Sequence, residues 1–258
     1  MLRSLVGSEM CIRDSLDGQE IAISDQRGEL KYKIEIGKLV GAGASCLVYE
    51  VVVDDLYPPK KNMILKEFFP NYKDDNIVGQ RDENNPLKVR FETKDQGSLM
   101  TLVKDRKKFI ESYDKHIKMI EIDPVLEDRI VRPYKLEKSD DYLFALYDTD
   151  KAQSVDKYNN LDLGRIIDIL KQTSEILSFL HQKDIIYMDL KPANILYDYK
   201  RDRVKLFDFD AAIFLDELDN ITEFFMPSER AFIPPELRYL SNINNRKEMF
   251  ISEEIDLY

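Results

Sequence analysis

The run Tyr187-Met188-Asp189-Leu190-Lys191-Pro192-Ala193-Asn194 constrains this chain more than any other stretch, because it sets Asp, Lys and Asn at offsets 0, +2 and +5. Five fixed residues in that order are rare: a chain of 258 residues expects on the order of 10⁻⁴ occurrences by chance. Asp, Pro and Asn are also ordinary turn formers. The run therefore acquires chemical meaning only if the rest of the chain supplies what such a loop would need.

One chemistry that a loop of this kind would suit is phosphoryl transfer. It asks for a carboxylate to orient an incoming hydroxyl, cations to hold phosphates, and oxygen ligands for magnesium. Asp189 supplies the carboxylate, Lys191 can reach the transferring phosphate, and Asn194 offers an amide oxygen to a hard cation. Downstream, Val204-Lys205-Leu206-Phe207-Asp208-Phe209-Asp210 reads as a short apolar strand ending in acidic residues, with Asp208 fourteen positions after Asn194. Asp208 is the second candidate magnesium ligand.

The upstream half contains a candidate phosphate grip. Gly41 and Gly43 lie between two apolar runs, with Cys46 and Val48 following, and glycines there let backbone amides approach phosphate oxygens. A tight hairpin turn explains the same glycines. Met63-Ile64-Leu65-Lys66 then ends an apolar run in lysine, a pattern that also suits a solvated edge strand.

Together these segments resemble the protein kinase superfamily, and in particular bacterial serine/threonine kinases, over about residues 34–258. Asp189 to Asn194 resembles the catalytic loop. Phe207 to Asp210 is similar to the D-F-G element, with Asp210 in place of glycine. Gly41 to Val48 resembles the glycine-rich loop, with Cys46 at the third glycine. Lys66 matches the V-A-I-K lysine, Lys66-Glu67-Phe68-Phe69-Pro70 resembles a form of that strand in bacterial members, and Ile233-Pro234-Pro235-Glu236 resembles A-P-E. The resemblance implies an α+β, kinase-like two-lobed fold: an antiparallel β small lobe and a mainly helical large lobe, with ATP and Mg2+ between them. It implies Asp189, Lys191, Lys66 and Glu111 as catalytic residues, and Asn194 and Asp208 as metal ligands. Gly41, Gly43, Cys46, Val48, Lys66, Ala145, Leu146, Tyr147 and Leu196 would meet the nucleotide, with Ala145 as gatekeeper and Ile64 above adenine. Glu111 is the best glutamate to pair with Lys66, although Ser112 fits the spacing from Phe109 slightly better. Lys191 points by resemblance to Ser/Thr hydroxyls on a protein substrate.

The periodicity agrees with this order of elements. Lys104 to Met119 has helical composition. Ile166, Ile169, Leu170, Thr173, Leu177 and Leu180 recur at helical spacing before the catalytic loop. Residues 130–136 and 142–147 read as paired strands across a polar turn. Residues 71–102 form a polar insertion, expected as a surface loop or a short extra hairpin. The expected division is a small lobe over 16–148 and part of a large lobe over 149–258. Residues 1–15 are similar to a translated sequencing adapter and are left out of the fold reading. The chain is expected to be a piece of a longer gene, because Ile255-Asp256-Leu257-Tyr258 resembles the start of the central large-lobe helix, where Asp256 would brace the catalytic-loop backbone.

Charge narrows the partners. With 38 basic and 49 acidic residues the net charge is −11, which argues against nucleic acid and anionic membrane as non-specific partners. No stretch has the length of a membrane-spanning helix. Setting Cys11 aside leaves Cys46, so no internal disulfide is expected and a reducing, cytoplasmic setting follows. His181 is expected to pack or hydrogen-bond near the catalytic loop, and His116 reads as a helix residue. The competing function is a pseudokinase that binds nucleotide or a partner without turnover, motivated by Asp210, Cys46 and Tyr187-Met188 in place of His-Arg. A small-molecule kinase of the aminoglycoside or choline type is a third reading, set back by the D-L-K-P form.

Overall fold

The computed structural model describes residues 16–24, 27–43, 45–55, 61–70, 77–216 and 256. Two compact units emerge: one takes the described residues up to Asp114 with Arg132–Lys151, the other takes Lys115–Val131 and the described residues from Ala152 onward.

The first unit is built on a six-stranded antiparallel sheet. Its strands are β1 (Glu20–Ser24), β2 (Leu30–Ala42), β3 (Cys46–Asp54), β4 (Lys61–Phe68), β7 (Arg132–Lys138) and β8 (Leu143–Asp148), in the order β1-β2-β3-β4-β8-β7. Side chains alternate across a strand, so one face buries Ile34, Ile36, Leu47, Tyr49, Val51, Met63, Leu65, Phe144 and Leu146 in a single apolar core. The crossing of β2 and β3 is tight at Gly37, where a Cβ would come within 2.8 Å of the Glu50 carbonyl oxygen. The turn between β7 and β8 is closed by Ser139, whose Oγ accepts from the Asp141 and Tyr142 amides.

Part of the insertion forms a hairpin of β5 (Ile77–Arg81) and β6 (Val89–Thr93). It is tied to the sheet through Arg81, described below, and through an ion pair from Lys88 to Asp141. The helix that follows, α1, runs Gln96–Ile122. It begins eight residues before the stretch read as helical from composition, because Asp95 caps it: its Oδ1 accepts from the Ser98 amide at 2.7 Å and from the Ser98 hydroxyl. Those bonds hold the Asp95 carboxyl below the usual carboxylate range. Phe109 and Tyr113 of α1 pack edge-on against Phe68 and Tyr147 on the other face of the sheet.

In the second unit, helix α2 (Leu163–His181) is capped by Asp162, whose side chain accepts from the Arg165 amide. It buries Ile169, Thr173, Ile176, Leu177 and Leu180, while Ile166 and Leu170 remain 40 % and 56 % exposed among the described residues. The strands β9 (Gln153–Ser154), β10 (Ile185–Ile186), β11 (Ile195–Asp198), β12 (Arg203–Leu206) and β13 (Ile213–Phe214) are short. β11 and β12 form a hairpin with Leu196 opposite Lys205, and β10 pairs with β13. These pairings bring residues 187–194 and 207–212 together over a core of Ile169, Leu177, Leu180, Tyr187, Tyr197, Leu206 and Phe209. Ile130 leaves the β7 pairing expected of it and bridges Leu206 instead.

Candidate active site

Sheet register assembles the upstream candidates into a row. Gly41 on β2 lies opposite Val48 on β3, Val48 opposite Lys66 on β4, and Lys66 opposite Ala145 on β8. Directly opposed residues in antiparallel strands share a face, so these four present themselves on the face away from the apolar core. Ile64 and Tyr147, two residues along their strands and themselves paired, extend the same face. Lys66 is buried there, at 6 % exposure.

The glycines of the loop are not required by the fold. A Cβ on Gly43 would approach nothing nearer than the Cys46 carbonyl oxygen at 3.8 Å, and on Gly41 only Val48 at 3.5 Å; neither adopts positive φ. What they leave is bare backbone beside the Val48–Lys66 row. Cys46, in place of the third glycine, is a buried thiol in β3 with Sγ 3.7 Å from the Ser45 hydroxyl.

Two expectations in this unit are corrected. Leu146 has the opposite strand parity to Ala145 and Tyr147, so its side chain lies in the apolar core and does not share their face. Glu111 is 52 % exposed and pairs with Lys107 one helical turn back, so it does not pair with Lys66. The buried face of α1 carries Phe109, Ser112, Tyr113, His116 and Met119, which puts Ser112 where the glutamate was sought.

Glu67, next to Lys66, faces the core and carries the opposite problem: a carboxylate in an apolar layer. Arg81 of the β5–β6 hairpin solves it with a two-pronged pair, Nη1 to Oε1 at 2.9 Å and Nη2 to Oε2 at 2.8 Å, and the Tyr49 hydroxyl lies 3.4 Å from Oε2. Burial nevertheless pushes the Glu67 carboxyl above its ordinary value, with Arg81 pulling the other way. The Arg81 guanidinium also sits 5.0 Å from the Phe69 ring centre. Neither residue stood out in the sequence; the acid inside an alternating apolar strand was the signal.

The second unit holds the carboxylate loop. Asp189 is 7 % exposed. Its Oδ2 accepts from the Asn194 side-chain amide at 2.9 Å and faces Lys191 Nζ at 3.0 Å, while its Oδ1 is buried with no hydrogen-bond partner among the described residues. Asn194 spends its Nδ2 on Asp189 Oδ2 and the Asp189 carbonyl, so its carboxamide oxygen faces away from Asp189. Main-chain bonds close the loop: the Asn194 amide donates to the Lys191 carbonyl, and the Phe207 amide to the Asn194 carbonyl.

Backbone conformation is unusual at two points of this loop system. Met188 has φ 73° and Asp208 φ 63°, values in the left-handed region that side-chain-bearing residues adopt at a cost of about 1–3 kcal/mol. At Met188 the cause is visible: Asp256, fully buried, accepts from the Tyr187 and Met188 amides at 2.7 Å each and lies 2.9 Å from His181 Nε2. The Tyr187 hydroxyl donates to the Phe207 carbonyl and its ring lies 5.0 Å from that of Phe209. Burial, then the charges of Asp208, Asp189 and Asp256, push the Tyr187 phenol far above its ordinary range, so it stays a donor. His116, read from sequence as a plain helix residue, is buried edge-on to Phe209 at 4.9 Å. Asp210 does not adopt positive φ, so its backbone makes no demand for glycine. Leu196 is buried on β11 opposite Lys205. Residues 233–236 lie outside the described residues.

The donor set suits magnesium. The Asn194 carboxamide and the Asp208 carboxylate could give two oxygen ligands to an ion of this kind, which keeps water and substrate oxygens for its other positions.

A family model for the protein kinase domain matches residues 100–258, more than half of the chain. The chain belongs to the protein kinase family, with its α+β fold. Among its relatives, a protein of Acanthamoeba polyphaga mimivirus named as a serine/threonine-protein kinase is 44 % identical over 69 residues, 26 % of this chain and 23 % of its own. The dual specificity protein kinase zak2 of Dictyostelium discoideum is 30 % identical over 129 residues, covering 47 % of this chain and 19 % of the relative. The serine/threonine-protein kinase US3 homolog of Gallid herpesvirus 2 is 35 % identical over 89 residues, 34 % of this chain and 22 % of the relative. The chain thus spans under a quarter of the length of each. These relatives are eukaryotic or viral and lend no support to a bacterial affinity.

Proposed function

We propose that the protein transfers the γ-phosphate of ATP to serine or threonine hydroxyls of a protein substrate. The observation that carries this reading is the divided role of the Asp189 carboxylate: Oδ2 is held by Asn194 and Lys191, and Oδ1 is buried with no hydrogen-bond partner among the described residues. A desolvated acceptor left open in an otherwise satisfied loop is costly unless something donates to it. A substrate hydroxyl fits, since the acceptor orients the oxygen and receives its proton as the bond to phosphorus forms.

The remaining residues take complementary parts. Lys191, 3.0 Å from Asp189, places a cation beside the reacting oxygen. Lys66 and the bare backbone at Gly41 and Gly43 hold phosphate oxygens, with Val48, Ile64, Ala145 and Tyr147 offering an apolar face to the base. Asn194 and Asp208 would hold magnesium, which when bound supplies positive charge against the phosphate oxygens. Serine/threonine preference is supported by Lys191 and by the names of two of the relatives above. The charge of −11 and the single cysteine among the described residues fit a cytoplasmic protein, and no described helix is long and apolar enough to cross a membrane.

Incubation with γ-labelled ATP, magnesium and a mixed Ser/Thr/Tyr peptide substrate tests the reading. Label on Ser or Thr in wild type, lost in Asp189→Ala, is the expected result; equal labelling by both proteins removes Asp189 from catalysis. The second reading, a nucleotide-binding pseudokinase, draws on Ser112 occupying the buried face of α1, and it predicts ATP binding with no transfer.

A further inference from the structure

Helix α1 does more than pack beside the sheet. Lys115 Nζ donates to the main-chain carbonyls of Asp210 at 3.1 Å and Ala212 at 2.8 Å. The next residue, His116, stacks edge-on against Phe209, and Lys118 lies 4.0 Å from the centre of the Phe214 ring. On the other side the same segment is held by the Tyr187 ring against Phe209 and by the Leu215 amide bonding the Asp184 carbonyl. Ala211 and Ala212 are buried, so the carbonyls that Lys115 reaches lie where backbone acceptors need a partner.

We propose that Lys115 is a positioning residue for Asp208: its ammonium pins the Asp210 and Ala212 carbonyls to α1 and keeps the segment bearing Asp208 in one state. The consequence for metal rests on the kinase reading above; the pinning itself rests on geometry. Three features converge on it. A lysine ammonium has three donors and can bridge two carbonyls at once. Asp208 sits at φ 63°, a conformation that persists where the surroundings over-determine it. Phe209, next to Asp208, is wedged between the His116 and Tyr187 rings, so the segment is gripped from α1 and from the loop at once.

Amide hydrogen exchange on the whole protein decides the matter. In Lys115→Met the amides of residues 209–215 should exchange about ten-fold faster than in wild type while those of α2 keep their protection. Lys115→Arg, which retains charge and donors, should restore protection to within about two-fold. In a transfer assay the magnesium needed for half-maximal rate should rise about five-fold in Lys115→Met, a shift that a simple loss of fold stability does not produce. Should Lys115→Met fail to fold, Lys115→Gln replaces it, with smaller shifts in the same direction. Unchanged exchange at residues 209–215 in a folded variant overturns the proposal whatever the activity. Faster exchange there, in a protein that shows no transfer even as wild type, upholds the pinning and removes the kinase reading instead.

Discussion

The Asn194 carboxamide holds both the main chain and the side chain of Asp189, donating at 2.9 Å to the carbonyl and at 2.9 Å to Oδ2. One residue therefore aims the carboxylate and, under the proposed function, would also offer an oxygen to metal. Asn194→Asp separates the roles, since it keeps oxygen ligands but loses both donors and sets a second carboxylate beside Asp189. A fall in kcat of about 100-fold is expected, with magnesium binding retained; loss of magnesium binding with kcat intact at saturating metal would contradict the aiming role.

Asp256 is a fully buried carboxylate whose two oxygens serve the Tyr187 and Met188 amides. Asp256→Ala strands both amides, at about 1–3 kcal/mol each, and releases the left-handed turn at Met188. The expected outcome is a lower melting temperature together with a kcat loss larger than the change in KM for ATP. Equal kcat in a folded variant would show that Met188 holds its conformation unaided.

The Arg81–Glu67 pair makes the inserted hairpin a structural part of the strand that carries Lys66. Removing the arginine leaves a buried charge, so Arg81→Met should cost about 3–5 kcal/mol near neutral pH. The sign with pH is defined. Burial already raises the Glu67 carboxyl and Arg81 opposes that rise, so without Arg81 it rises further and the folded variant binds more protons than the unfolded chain. Its stability then falls as pH increases through the raised value. Melts from acid to neutral pH should show the gap from wild type widening upward; a constant gap would mean the carboxylate is not what the variant strands.

Glu111 faces solvent and pairs with Lys107. Glu111→Ala is expected to leave transfer within about two-fold and stability within about 0.5 kcal/mol. A large loss of activity would restore Glu111 as the partner of Lys66.

Thr222 and Ser228 lie outside the described residues. Because the kinase resemblance puts Met188 where a basic residue would meet a loop phosphate, alanine at both positions should leave the transfer rate within about three-fold. Collapse of the rate with folding intact would point to a phosphate partner other than residue 188.

Local sequence carried the chemistry of the loops. Asp189 to Asn194 and Phe207 to Asp210 are contiguous runs, so the sequence marks out the two segments that the β11–β12 hairpin brings together. The helical period of Ile169, Thr173, Leu177 and Leu180 located α2, and apolar runs ending at Lys66 and Tyr147 located β4 and β8. What it could not settle was orientation. Whether Glu111 or Ser112 faces inward depends on which side of α1 meets Phe68 and Tyr147, a rotational phase that composition leaves open. The resemblance implies Leu146 beside adenine, yet strand parity sends its side chain to the core. The Asp256 brace on Met188, 68 residues away, bears out what the resemblance implied. Arg81 with Glu67 and Lys115 with Asp210 are 14 and 95 residues apart. Each joins a donor to an acceptor on a different element of the chain. Only tertiary structure decided these pairs, because a buried polar group finds its partner in space, wherever chain closure places one, and no local pattern records that distance.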